Sequence, residues 1–336
     1  MPFPHSTAVL RRLGAGKLDD GVAAVALAAV LAGTIGTAAQ LGPDELSPMA
    51  AASWRSLLGA VGLLAVSTLR RQAPWRYRLP VRWVVLGGLG SAVTQLAFFV
   101  AADRTGVAVA TLAAIGTAPL AAGLLDWMAA GQRPSRYWLG GVAVALAGVV
   151  LLSGGAMRMV GSGVALAVLA GCGIPCQGFA AQKLMMDRPP LTAMATVVGG
   201  GTMVLFPAAL MEAGSALGST AAMATVVYLG LITLTLGHTL FGLGLKRLRL
   251  GTVVVVGLLE PAVAATLAMV VLTEPVTTAQ LGGICLVLAG VAIAAVDPTA
   301  RPGKPRQGHA GSPPSPFPRF RRKGETGIFP RIGPSR

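Results

Sequence analysis

The chain repeats itself at one fixed distance. Pro261 lies 142 positions after Pro119, and the same offset carries Gly140-Gly141 onto Gly282-Gly283 and Ala147-Gly148-Val149 onto Ala289-Gly290-Val291. Toward the N-terminus it carries Gly21-Val22-Ala23 onto Gly163-Val164-Ala165, Gly36 onto Gly178, Ala38-Ala39-Gln40 onto Ala180-Ala181-Gln182, Pro48 onto Pro190 and Arg104 onto Lys246. One offset held over separated segments marks an internal duplication, roughly 21–156 and 163–298.

What is duplicated is apolar. Of the 336 residues, 54% are hydrophobic and 12% charged, against about 25% charged in soluble domains. The mean hydropathy is +0.71. A hydrocarbon core of about 30 Å needs about 20 helical residues, and ten runs approach that length: about 21–41, 48–69, 82–102, 105–129, 137–156, 162–182, 191–211, 220–243, 250–272 and 276–296. The first run is too long, and lacks the cleavage site, for a signal peptide. The expected fold class is an all-α membrane protein of ten transmembrane helices. A short N-terminal segment, 1–20, precedes them. A tail rich in Pro, Gly, Ser, Arg and Lys, 299–336, follows and reads as disordered.

Orientation follows from the basic residues, which concentrate in cytoplasmic loops. With the N-terminus in the cytoplasm, 24 of the 27 Lys and Arg fall in cytoplasmic segments. The exceptions are Arg104, Arg158 and the intramembrane Arg55. Both termini are therefore expected in the cytoplasm. Five spans per repeat is an odd number, so the second repeat must enter the membrane in the opposite sense to the first. Inverted repeats of this kind serve alternating access in secondary transporters, with the site at the repeat interface.

A net charge of +15 would by itself suggest nucleic acid as a partner, but the basic residues sit between apolar runs and in the tail. No basic-aromatic interleaving of the single-strand-binding kind accompanies them, so no nucleic acid is expected. Cys172, Cys176 and Cys285 all lie inside apolar runs and give no disulfide framework. Cys172 and Cys176 share a helix face, but no His or further Cys stands beside them, so neither a metal nor a cofactor is expected.

Intramembrane polar residues are the candidate substrate pathway. A carboxylate in hydrocarbon costs at least about 2.5 kcal/mol, which marks Glu260, near the middle of the ninth run, as a proton carrier or a partner for a substrate amine. The competing reading is a neutral or paired carboxyl bracing a proline-broken helix. Arg55 lies about 5 Å outward of the centre of the second run. It is suited to a substrate carboxylate, or else to a structural ion pair, a backbone contact or snorkelling to the interface. His238, about 9 Å to the cytoplasmic side of centre in the eighth run, fits either a proton relay or an interhelical hydrogen bond. Gln95, Gln177, Thr94, Thr111 and Thr117 are placed as lining of a wet cavity, with interhelical bonding as the alternative. Gln40 and Gln182, near span ends, read as structural. Pro119, Pro175 and Pro261 are expected helix breaks, and Glu274-Pro275 marks the break between the last two runs. Asp126, beside Trp127, reads as an interfacial anchor.

At these residues a resemblance enters. GLLEPAVAATLAMVVLTEPVTTAQLGGICLVLAGV resembles the C-terminal signature of the EamA-like transporters of the drug/metabolite transporter superfamily. TAPLAAGLLDWMAAGQRPSRYWLGGVAVALAGVVLL resembles its first-repeat counterpart. The resemblance spans about 21–298 and implies two inverted five-helix repeats and export of amino acids, related metabolites or drugs, often coupled to protons or exchange. Two departures stand out. The family often carries Gly-Glu at both span junctions, where this chain has Gly131-Gln132 and Thr273-Glu274.

Three function classes separate on these features. A proton-linked or exchanging exporter of small metabolites or drugs in the cell membrane fits the repeat and the sparse intramembrane polar groups. Its partners would be the lipid bilayer, a small-molecule substrate and, as options, a proton and a second copy of the chain. A membrane-embedded enzyme would need carboxylate pairs, an HExxH motif or acidic metal loops, and the sequence carries none. A scaffold or receptor would be supported by a soluble signalling domain, which is lacking. Nucleotide-sugar exchange is the alternative within the transport class, but it asks for a basic central cavity and only Arg55 is available.

Overall fold

The computed structural model describes residues 20–131, 133–152, 161–273 and 277–297. The N-terminal segment before Asp20, Gln132, Arg158, Glu274-Pro275 and the tail over 299–336 lie outside the described residues. The ten apolar runs are all helical: span one Asp20–Gln40, two Pro48–Leu69, three Val81–Thr105, four Val107–Ala130, five Arg136–Leu152, six Gly161–Leu184, seven Pro190–Met211, eight Thr220–Arg247, nine Leu250–Val271 and ten Thr278–Ala295. All but span five are long and apolar enough to cross a membrane. Span five is 17 residues as described, and the residues expected to complete it lie outside the described set.

Local chemistry sets where these helices start and stop. Ser47 caps span two by accepting from the Ala50 N–H at 3.0 Å, and Pro48 follows at the first helical position, where no donor is lost. Span four ends on Gly131 in the left-handed conformation (φ 64°), its N–H bonded to the Trp127 carbonyl. Thr277 and Gln280 close span ten with a reciprocal capping box.

The prolines and the eighth span do not all behave as the sequence suggests. Pro119 and Pro175 were expected to break their spans, yet spans four and six continue through them. A proline removes one donor, and neighbouring helices can make good the loss inside a bundle. Only Pro261 coincides with a break, because span nine divides at Leu258 into Leu250–Gly257 and Leu259–Val271. The carbonyl that a proline strands is four residues back, here that of Gly257. Span eight was read as one helix, but Tyr228–Leu236 is a π-helical segment within it.

In lipid, helices gain little from hiding apolar surface against each other, so close backbone approach through small residues holds them together. Spans five and ten show this best. A Cβ on Gly141 would stand 2.7 Å from the Gly290 carbonyl oxygen, and one on Gly148 would stand 2.6 Å from that of Gly283. Moving seven residues up span five moves the contact seven residues down span ten, so the two helices run antiparallel. Gly141 and Gly283 are repeat mates, as are Gly148 and Gly290, so the seam maps onto itself when the repeats are exchanged.

The remaining packing obeys the same exchange. Span six lies against spans three and four, as span one lies against spans eight and nine. Span three meets span seven as span eight meets span two, and spans two and seven pack on each other. The loops follow suit. At one end the Ser47 hydroxyl donates to Glu212 at 2.7 Å and the Ser215 hydroxyl to the Glu45 carbonyl at 2.6 Å. At the other, Arg188 donates to the Arg78 carbonyl and the Thr192 hydroxyl to the Gln72 carbonyl, both at 2.6 Å. The molecule is a pair of inverted five-helix repeats.

The seam is testable with alanine. Gly148→Ala forces the Gly283 backbone away and is expected to lower stability by about 1–3 kcal/mol. Gly140→Ala, whose Cβ would meet nothing within 4 Å, should leave it unchanged or raise it. Equal thermal midpoints for the two variants in detergent would mean that the helices do not meet here.

Candidate functional site

Glu260 is the eleventh of the 22 residues of span nine, at mid-depth, and lies two residues after the break at Leu258. Span one lies close against it because Gly33 has no side chain: a Cβ there would stand 2.9 Å from the Glu260 carbonyl oxygen and 2.7 Å from Val263. The Glu260 residue is exposed although it sits halfway along its span. Its charge interacts with that of Arg55, from span two. Among the described residues the ion pairs within 4 Å are Arg188–Asp187, Arg247–Asp20 and Arg249–Asp126, so Arg55 and Glu260 act on each other without touching.

Arg55 is held from the other side. Its Nε donates to Thr233 Oγ1 at 3.2 Å, and that hydroxyl donates in turn to the Leu229 carbonyl at 2.5 Å. Thr233 belongs to the π segment, which presses on span two where Gly59 meets Leu234 and Gly62 meets Thr235. The snorkelling alternative for Arg55 does not describe this geometry, since the side chain turns to a neighbouring helix. His238 follows one turn after Leu234 and lies within electrostatic reach of the Leu234 carbonyl and of the Arg55 charge. Spans two, eight and nine thus bring Arg55, His238 and Glu260 to one electrostatic neighbourhood. Gln95 of span three donates to Ser56 Oγ at 2.6 Å, the residue after Arg55.

The other sequence candidates separate from this group. The Thr94 hydroxyl bonds the Gly90 and Ala170 carbonyls (2.9 and 3.2 Å) and so ties span three to span six. Thr117 donates to Ala113 at 2.7 Å, with its Cβ 2.9 Å from where a side chain on Gly171 would begin. Thr111 and Gln177 are half-buried in spans four and six. Gln182 donates to the Leu245 and Leu248 carbonyls, both at 3.0 Å, which is the structural part expected of it.

The model of the EamA-like transporter family matches this chain twice, over residues 20–154 and 161–296. The chain belongs to the EamA-like transporter family. The uncharacterized transporter YwfM of Bacillus subtilis (strain 168) is 30% identical over 279 residues, covering 82% of this chain and 93% of that protein. A crystal structure sharing 19% identity superposes with a TM-score of 0.69 over 82% of this chain and 96% of the other, which speaks for the fold. As an EamA-like transporter this is a multi-pass membrane transport protein.

Two parts of this EamA-like protein escaped sequence reasoning. The first is Asp126, expected as an interfacial anchor. Its Oδ2 accepts from the Gly251 N–H at 2.9 Å and stands 3.8 Å from Arg249 Nε, with 15% and 11% of the two side chains exposed. A carboxylate from the first repeat therefore caps the N-terminus of span nine in the second, where helix N–H groups lack partners and favour negative charge. The adjacent Asp-Trp pair masked this role, because capping across 125 residues leaves no local pattern. The second is an open cavity of about 420 Å³ between spans one, eight and nine, lined by Thr34, Thr37, Ala38, Leu41, Ala224, Thr225, Tyr228 and Leu267. Between its walls, Tyr228 donates to Thr34 Oγ1 at 2.8 Å.

The cap makes a direct stability claim. Asp126→Ala is expected to cost about 1–2 kcal/mol and Asp126→Asn, which keeps a capping oxygen, less. Thermal denaturation that leaves both variants at the parent midpoint would show that the carboxylate caps nothing.

Proposed function

We propose that this transporter is a secondary-active exporter of small, partly apolar metabolites, amino acids or related compounds, or drugs, and that it works by alternating access with a proton as coupling ion. The observation that carries the reading is that Arg55 and Glu260, both within membrane spans, feel each other's charge, and that His238 feels the charge of Arg55 as well. Three charged or titratable side chains in that setting are costly and mark solute or proton pathways. They come from both repeats, so relative motion of the repeats changes their spacing. The few polar groups around them, Gln95, Ser56 and Thr233, suit a small solute with one or two hydrogen-bonding groups.

In this reading solute enters from the cytoplasm near Gln177, His238 and Glu260 and leaves past Arg55. The 420 Å³ cavity at the end of span one would be the way out. Proton binding at Glu260 cancels the charge that faces Arg55, and so favours one arrangement of the repeats over the other. The membrane is the cell membrane, with both termini in the cytoplasm, as the basic loops favour.

Glu260→Gln keeps size and hydrogen bonding but cannot carry the charge. In proteoliposomes it should abolish the dependence of transport on a pH gradient while the protein remains folded; undiminished dependence would remove Glu260 from coupling. Arg55→Ala should lose carboxylate-bearing solutes and keep neutral ones. The solute is first found by thermal shift of purified protein against amino acids, amines and drugs at two pH values, since a bound ligand raises the midpoint by mass action.

A further inference from the structure

The exchange symmetry of the two repeats is broken in a directed way between the two ends of the bundle. At the end of the bundle where span one finishes, Thr37 and Thr225 face the 420 Å³ cavity together with Thr34, Tyr228 and Leu267. The repeat offset of 142 takes Thr37 to Phe179 and Thr225 to Trp83. At the opposite end of the bundle two aromatic rings stand at the equivalent positions. They meet edge to face, with centroids 5.7 Å apart and planes at 83°. The register is secure at this point, because Gly88 against Gly200 in spans three and seven corresponds to Gly230 against Leu58 in spans eight and two.

The aromatic pair has a charged collar that its mates lack. Arg82 places its guanidinium carbon 4.8 Å from the Trp83 ring centroid, and Lys183 places Nζ 5.0 Å from that of Phe179. Their repeat mates are Ala224 and Leu41, both on the cavity wall. Edge-to-face rings and cations over ring faces attract each other through the ring quadrupole. The rings are half-buried and lie against the main core cluster, on the same end of the bundle as the basic Arg70–Arg82 and Lys246–Arg249 segments.

We infer that the Trp83–Phe179 pair is the gate that closes the solute path at the basic face, while threonines at the equivalent positions leave the other face open. The inference rests on the transport reading given above. It assigns the closed end to side chains whose rotation or parting with spans three and six opens a passage, without rebuilding either helix. The stacked cations keep the rings in place against water at the closed face.

A native thiol reports on this gate. Cys176 precedes Phe179 by three residues, is half-buried, and is the repeat mate of cavity-lining Thr34. In a background with Cys172→Ser and Cys285→Ser, a charged methanethiosulfonate is applied to membrane vesicles from the basic face. Trp83→Ala and Phe179→Ala should each speed modification of Cys176 about tenfold, the shift expected from losing one aromatic pair. Trp83→Phe, which keeps an aromatic ring, should stay slow. As a complement that does not rely on loss of a side chain, the Thr37→Phe, Thr225→Trp double variant transplants the plug. It should slow modification of Thr34→Cys from the opposite face. Unchanged rates at Cys176 in both alanine variants, or at Thr34→Cys in the transplant, overturn the gate. Labelling needs no solute flux. Changed labelling without flux of any tested solute supports the gate and counts against the transport reading, whereas flux with unchanged labelling counts against the gate alone.

Discussion

Backbone laid on backbone along spans five and ten is the contact from which the rest of the molecule follows. Lipid offers no hydrophobic reward for pairing these helices, so dispersion between closely spaced atoms must suffice. Gly141, Gly148, Gly283 and Gly290 make the spacing short enough. Gly141 faces the mate of Gly148, and Gly148 faces the mate of Gly141, so exchanging the repeats carries the contact onto itself with the helices antiparallel. An antiparallel seam between equivalent helices is the inversion itself. Once it is set, span one is directed onto spans eight and nine, and span six onto spans three and four.

That arrangement explains where charge is tolerated. Arg55 is not left to hydrocarbon: Thr233 receives its Nε, and Glu260 and His238 complete its electrostatic surroundings. The π segment is the local adjustment that presents Thr233 and His238 from one stretch of span eight, and wider helical turns of this sort recur at functional positions. Span nine contributes its carboxyl just after the break that Pro261 imposes. The same span is pinned at its N-terminus by Asp126 from the other repeat. The repeat mates of Asp126, Arg249 and Gly251 are Ala268, Val107 and Val109, so this polar clasp is confined to the basic end of the molecule. The two ends of a duplicated bundle have thus acquired different chemistry, a cap and stacked rings at one and hydroxyls around a cavity at the other.

Much of this was legible in the sequence because membranes make sequence literal. Glycine and proline mates at one offset gave the duplication, and an odd span count turned duplication into inversion. Arg55, His238 and Glu260 stood out because isolated charge in an apolar run is expensive wherever the helices go. What could not be read were relations that no local pattern encodes. Asp126 caps a helix 125 residues away. Thr94 satisfies a carbonyl of span six, and so resembled a pathway residue only while its neighbour was unknown. Pro119 and Pro175 carry the residue type of a break but lie in helices that run on through them. The π turn lies where span two packs on span eight, a contact that YLGLITLTL alone does not disclose.

The inversion is tested most directly at Arg104 and Lys246, which occupy the same position in the two repeats and are both exposed. Each is replaced singly by cysteine in a chain freed of its native cysteines, and intact cells or right-side-out vesicles are treated with a membrane-impermeant maleimide. The account requires one of the two to be labelled from outside and the other only after the membrane is opened. Labelling of both from the same face would contradict it.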